Sequence, residues 1–211
     1  FRDATGKPTA VIGHAVEPTP TSTGFDQRQG LLFVGALDDD DSPNVDSIVW
    51  FVKDVMPRLD RLIGADYVLR VAGRSASAAA RKLANDRVVF LGRVEDLTEV
   101  YAGSRVFIAP TRFAAGIPMK VHSAAAHGLP VVLTGLLLGQ LGWTHGREVL
   151  AADDPQSFAE ACASAYTDAR LWADLRERAL WRIEVDCNAQ QFRTMVASVL
   201  DAAFPPELRR T

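Results

Sequence analysis

Residues 105–134, RVFIAPTRFAAGIPMKVHSAAAHGLPVVLT, decide the reading of this chain. They run as strand, glycine-bearing loop, helix and strand. Gly116 and Pro118 open the expected helix, Lys120 sits in its first turn, and Gly128-Leu129-Pro130 closes it. A loop and helix N-terminus after a buried strand present free backbone N–H groups and the positive end of a dipole, which together make an anion site. A lysine in that first turn suits a phosphate or diphosphate group. The same residues also fit an ordinary βαβ unit with a solvated lysine, and local pattern alone leaves the two readings level.

Outward from this stretch the same alternation repeats. Leu31–Val34 is a continuous apolar run, as expected of a strand buried on both faces. Further strand-like runs stand at 67–71, 88–91, 106–109, 131–133 and 149–151. Between them lie helical patterns over 44–62, 76–83, 97–102 and 118–126, the first announced by Ser42-Pro43-Asn44. Pro57 is expected to kink that first helix or to divide it in two. Strands that are apolar throughout, alternating with helices, imply an α/β fold: a Rossmann-like, three-layer α/β/α arrangement on a parallel sheet. After Asp154 the pattern is helical only, over 157–166, 169–183 and 190–203. The expected organisation is an edge or linker segment over 1–30, with a short apolar stretch at 10–12 and a Pro/Thr/Ser/Gly-rich passage at 17–24. An α/β domain over 31–154 and C-terminal helices over 155–211 that pack on it complete the chain.

Composition narrows the function classes. The chain has 211 residues, 48% hydrophobic and 23% charged, with a net charge of −3. That is ordinary for a soluble globular protein and argues against nucleic acid as a partner. No apolar run reaches bilayer length and no signal peptide is evident, so no transmembrane segment is expected. A start at Phe1 reads as a processed or excised piece of something longer. Cys162 and Cys187 read as buried thiols. His14, His122, His127 and His145 lack metal-ligand spacing, and no metal site is expected. The Asp38–Asp41 run reads as a solvated loop ahead of a helix rather than a cation site. Dinucleotide and P-loop fingerprints are absent, as are a nucleophile elbow and a reactive-cysteine pattern.

Ligands of open parallel sheets bind at the carboxyl ends of the strands. Those ends carry Gly35-Ala36, Gly73-Arg74, Gly92-Arg93-Val94, and Thr111-Arg112 through Gly116. Glycines permit close backbone approach, and Arg74, Arg93, Arg112 and Lys120 share the same expected rim. An anionic ligand is indicated.

Three segments carry a family resemblance: LLFVGALDDDDSPNVDSIVWFVKDVMPRL at 31–59, VVFLGRVEDLTEVYAGSRVFIAPTRFAAGIPMKVHSAAAHGLPVVLT at 88–134, and ADDPQSFAEACASAYTD at 152–168. In order and spacing they resemble the C-terminal, nucleotide-sugar-binding half of a GT-B glycosyltransferase of family 4 (group 1), over about residues 31–192. The resemblance implies a hexosyltransferase-like enzyme of bacterial polysaccharide biosynthesis, cytoplasmic or peripheral to the inner membrane through the full-length protein. Its donor substrate would be a nucleotide-diphosphate sugar, with no cofactor and no metal, and a missing N-terminal domain would bind the acceptor. Gly35 and Ala36 would lie beside the diphosphate. Gly92, Arg93 and Val94 would line the base, and Gly116, Ile117 and Pro118 would cradle phosphate and sugar. Lys120 would offer a cation, and Ser123 one weaker bond to the ribose. No catalytic residue is singled out, and in isolation the chain is expected to bind without turnover. Many members carry two glutamates where this chain has Ala115 and Ser123. That departure keeps a second reading open, a non-catalytic interaction domain with a degenerate donor site. A sugar-nucleotide epimerase of similar architecture ranks last.

Overall fold

The computed structural model describes Gly6, residues 12–114 and residues 116–203. Ala115 and the start of the 10–12 stretch lie outside the described residues. Six strands form one parallel sheet: β1 (Leu31–Val34), β2 (Leu69–Ala72), β3 (Val88–Gly92), β4 (Val106–Ala109), β5 (Val131–Leu133) and β6 (Leu150–Ala151). Their order is β3-β2-β1-β4-β5-β6, the doubly wound arrangement that reverses direction between β1 and β4. Each pairing is parallel, for example Leu31 against both Leu69 and Val106.

The continuous apolar runs are explained by burial on both faces. Successive residues of a strand point to opposite sides. Leu31, Phe33, Val106, Ile108 and Val132 face one core, together with Ile48, Phe51 and Phe158. Leu32, Phe107, Ala109, Val131 and Leu133 face the other, with Val121, Ala125 and Ile183. The helices that close these layers are α1 (Pro43–Trp50), α2 (Met56–Ile63), α3 (Ala78–Arg81), α4 (Thr98–Gly103), α5 (Met119–Ala126), α6 (Gly135–Leu141), α7 (Pro155–Thr167), α8 (Ala169–Asp186) and α9 (Ala189–Ala203).

Two details refine the sequence reading. Ahead of Pro57 the first helix divides without a break in the helical backbone. A π-helical turn over Phe51–Val55 joins α1 to α2, with αR geometry kept through Met56. Proline lacks the N–H for an α-type bond and its ring crowds the carbonyl four residues back, so a widened turn just ahead of it accommodates both. The second is α6, which the sequence reading missed. Two glycines in GLLLGQL weaken its helical pattern, yet Gly135 donates its N–H to Asp153 Oδ1 (2.8 Å) and Gly142 ends the helix in the left-handed conformation (φ 66°).

The segment before β1 runs across the surface. Thr19 N–H donates to the Ala126 carbonyl, and Val16 N–H to that of Cys187. The Arg28 side chain is completely buried. It donates to the carbonyls of Thr23, Tyr101 and Ser104 and lies over the Trp172 ring. No helix among the described residues is long and apolar enough to cross a membrane.

Candidate functional site

Two depressions open at the carboxyl ends of the strands, on either side of the reversal between β1 and β4. The first, about 150 Å³, is lined by Val34, Gly35, Ala36, Gly73, Arg93 and Val94 among others. The second, about 320 Å³, lies over the start of α5 and includes Asn44, Thr111, Gly116, Ile117, Pro118 and Lys120. Gly35 and Asn44 form their shared wall. A methyl group on Gly35 would stand 2.9 Å from Asn44 Nδ2, and that amide donates to the Ala36 carbonyl at 3.0 Å. Behind this wall Gly73 has φ 139°, and a Cβ there would meet the Gly35 carbonyl oxygen at 2.1 Å. Only glycine lets these two strand ends come together.

Lys120 enters the wall from the other side. Its ammonium donates to Asn44 Oδ1 and rests over the Phe33 ring, 4.6 Å from the centroid. Burial lowers its pKa from the ordinary lysine value to about 8. Among the described residues no carboxylate pairs with it. The N-terminus of α5 has no side-chain cap, so the helix start and the ammonium point to the same second depression. The chemistry on offer is the stabilisation of a polyanion by one cation and backbone N–H groups.

Of the residues singled out from sequence, Gly35, Ala36, Arg93 and Val94 line the first depression, and Gly116, Ile117, Pro118 and Lys120 the second. Gly92 ends β3 with φ 68°, immediately before Arg93. Arg74 and Arg112 line neither depression. Arg74 pairs with Asp38 at 2.6 Å. Arg112 makes a two-pronged pair with Asp46 and lies over Trp50, 5.6 Å from the ring centroid. Ser123 is half-buried on α5, three residues beyond Lys120, and lines neither depression.

Sequence reasoning missed Asn44 as the residue that positions Lys120. A contact across 76 residues leaves no local signal. It also treated the histidines as unrelated, whereas the fold brings His14, His122 and Cys187 together away from the lysine.

A doubly wound parallel sheet with a cleft at its reversal defines a class, the Rossmann-like α/β fold. Residues 28–168 match the family model of glycosyl transferases group 1, and the chain belongs to that family. A curated relative, an uncharacterized 44.6 kDa protein in the cps region of Klebsiella pneumoniae, is 26% identical over 139 residues, covering 62% of this chain and 35% of that protein. Anabaena HepE in complex with UDP and glucose has a similar structure, with a TM-score of 0.70 at 15% identity, covering 85% of this chain and 50% of that one. TarM from S. aureus, in complex with Fondaparinux, alpha-GlcNAc-glycerol and UDP, gives 0.75 at 10% identity, covering 91% of this chain and 39% of that one. The chain thus spans about a third to a half of the length of these relatives.

Proposed function

We propose that this chain is the donor-binding half of a glycosyltransferase, and that its donor is a nucleotide-diphosphate sugar. The observation that carries the proposal is the pair of depressions joined at Gly35–Asn44, with the ammonium of Lys120 in the joint. The base occupies the depression beside Arg93 and Val94. The diphosphate lies along Gly35 and Ala36 toward Lys120, and the sugar sits over Gly116–Pro118. Gathering negative charge on the departing diphosphate is then met by Lys120 and the first turn of α5, with no cofactor or metal ion at the donor. A nucleotide-sugar donor also assigns the protein to the cytoplasm. Acceptor binding falls to a further domain outside this chain. HepE, solved with UDP and glucose, supports the choice of donor class.

Calorimetry with UDP, GDP and dTDP sugars tests this reading. Binding of at least one donor class at micromolar to submillimolar levels is expected; no heat with any of them at millimolar concentration would overturn it.

Ser123 favours a second reading, that the site is a degenerate remnant. A carboxylate accepting ribose O–H bonds is stronger than a serine hydroxyl, and α5 offers only the hydroxyl at this position. Introducing Ser123→Glu separates the two readings. A functional site gains less than tenfold in affinity, whereas appearance of binding only in the variant marks the natural chain as degenerate.

A further inference from the structure

On the face of α5 that carries His122, three side chains from distant parts of the chain converge. His14 comes from the crossing segment, His122 from the middle of α5, and Cys187 from the position just past the end of α8. One ring nitrogen from each histidine and the Cys187 sulfur all lie within 4.8 Å of one another. His122 Nδ1 and His14 Nε2 are 3.0 Å apart, and the rings meet at a tilt of 32° with a centroid distance of 4.7 Å. His122 is 7% exposed and Cys187 2%. Among the described residues the Cys187 thiol has no hydrogen-bond partner. Trp143 closes one side, with its ring 5.6 Å from His122 and its Nε1–H donated to Asp186 at 2.9 Å.

We propose that His14, His122 and Cys187 form a zinc-class metal site that clasps the crossing segment and the α8–α9 junction onto α5. Two imidazoles and a thiolate are borderline-soft donors suited to zinc and unsuited to magnesium or calcium, which take oxygen ligands. Tetrahedral coordination with bonds of about 2.0–2.3 Å sets ligand atoms roughly 3.3–3.8 Å apart. The present spacings reach that with small rotations. Three protein ligands leave one position for water.

The proton balance is simple. The Cys187 S–H bond breaks as the sulfur–metal bond forms, and one proton leaves to buffer. The proton shared between the two facing ring nitrogens moves to the other nitrogen of its own ring, so both present lone pairs to the metal. No electron transfer is involved. The metal would add a cross-link between the crossing segment, α5 and the end of α8, which already meet through the Val16 N–H to Cys187 carbonyl bond (3.1 Å) and through Val121, Ala125 and Ile183 in one core.

The test uses the whole 211-residue chain, stripped with chelator and titrated with Co²⁺ under reducing conditions, then with Zn²⁺ in competition. Expected are one equivalent bound, tetrahedral visible bands, a thiolate-to-cobalt charge-transfer band in the near ultraviolet, and a rise of several degrees in Tm with zinc. Cys187→Ser should abolish the charge-transfer band, and His14→Ala should weaken Co²⁺ at least tenfold. The half-buried His14 lies outside the sheet, so His14→Ala keeps the test decisive if the cysteine variant fails to fold. Absence of stoichiometric cobalt, lack of the charge-transfer band, or unchanged affinity in His14→Ala would overturn the proposal.

Discussion

Lys120 holds its charge with one amide oxygen and one aromatic face for company, and burial brings its pKa down to about 8. On the proposed reading a bound diphosphate would supply the counter-charge and raise that pKa, linking donor binding to protons. Below about pH 8 the free protein already carries the cation, and affinity for a nucleotide sugar is flat. Above it each binding event must take up a proton, and affinity falls by up to tenfold per pH unit until the pKa of the complex is reached. The unliganded fold responds with the opposite sign. Its lysine pKa lies below the unfolded value, so the unfolded chain holds more protons between about pH 8 and the ordinary lysine range, and stability rises with pH through that window. Replacing Lys120 with Ala should cost about 1–3 kcal/mol of donor affinity, the scale of a charge-assisted contact, and should remove the alkaline slope. Calorimetry from pH 7 to pH 10 on both proteins checks this. A slope that survives Lys120→Ala would assign the titration to another group, and unchanged affinity would remove the lysine from the site.

At the scale of elements, the site depends on how closely the ends of β1 and β2 meet. Gly73 has φ 139°, and its missing side chain is what allows the Gly35 carbonyl to lie where it does. Gly73→Ala introduces both a backbone strain and a clash with main-chain atoms, so a loss of about 2 kcal/mol or more is expected, read by urea denaturation. A loss below about 0.5 kcal/mol would mean the two strand ends can part cheaply. This part of the molecule was legible in the sequence, because buried parallel strands show as unbroken apolar runs and a glycine at the ends of β1, β2 and β3 marks the rim. The start of α5 was legible for the same reason: Gly116, Pro118 and Lys120 act through local helix geometry. What sequence did not disclose was pairing across long separations. Arg74 and Arg112 read as free rim cations, but Asp38 and Asp46, brought alongside by α1 and its preceding loop, engage them. Asn44 and the His14–His122–Cys187 cluster were hidden by the same kind of distance. The helix α6 was hidden by composition, since its glycines read as breakers until Asp153 and Gly142 fix its two ends.

At the scale of the whole molecule, exposed apolar side chains border the second depression. Phe113, Ile117 and Met119 stand 48%, 47% and 57% exposed on and beside the loop that leads into α5. Ile117 and Met119 line the second depression itself. Apolar side chains of that size gathered at the mouth of the depression are what the proposed acceptor-binding body would cover. The chain reaches only a third to a half of the length of its relatives, which leaves room for such a body in the full-length protein. Transfer of a sugar requires that the acceptor be placed over Gly116–Pro118 and that water be kept from the same position. Under the proposal above, both fall to the acceptor-binding domain. On the proposed reading the chain alone should bind donor and release no nucleoside diphosphate above the buffer rate, while a longer protein that carries an acceptor-binding domain should release it in the presence of acceptor. A coupled assay for nucleoside-diphosphate release, run on both, measures the difference. Turnover by residues 1–211 alone would show that the acceptor site is already present in this chain, and the assignment of acceptor binding to a further domain would fall.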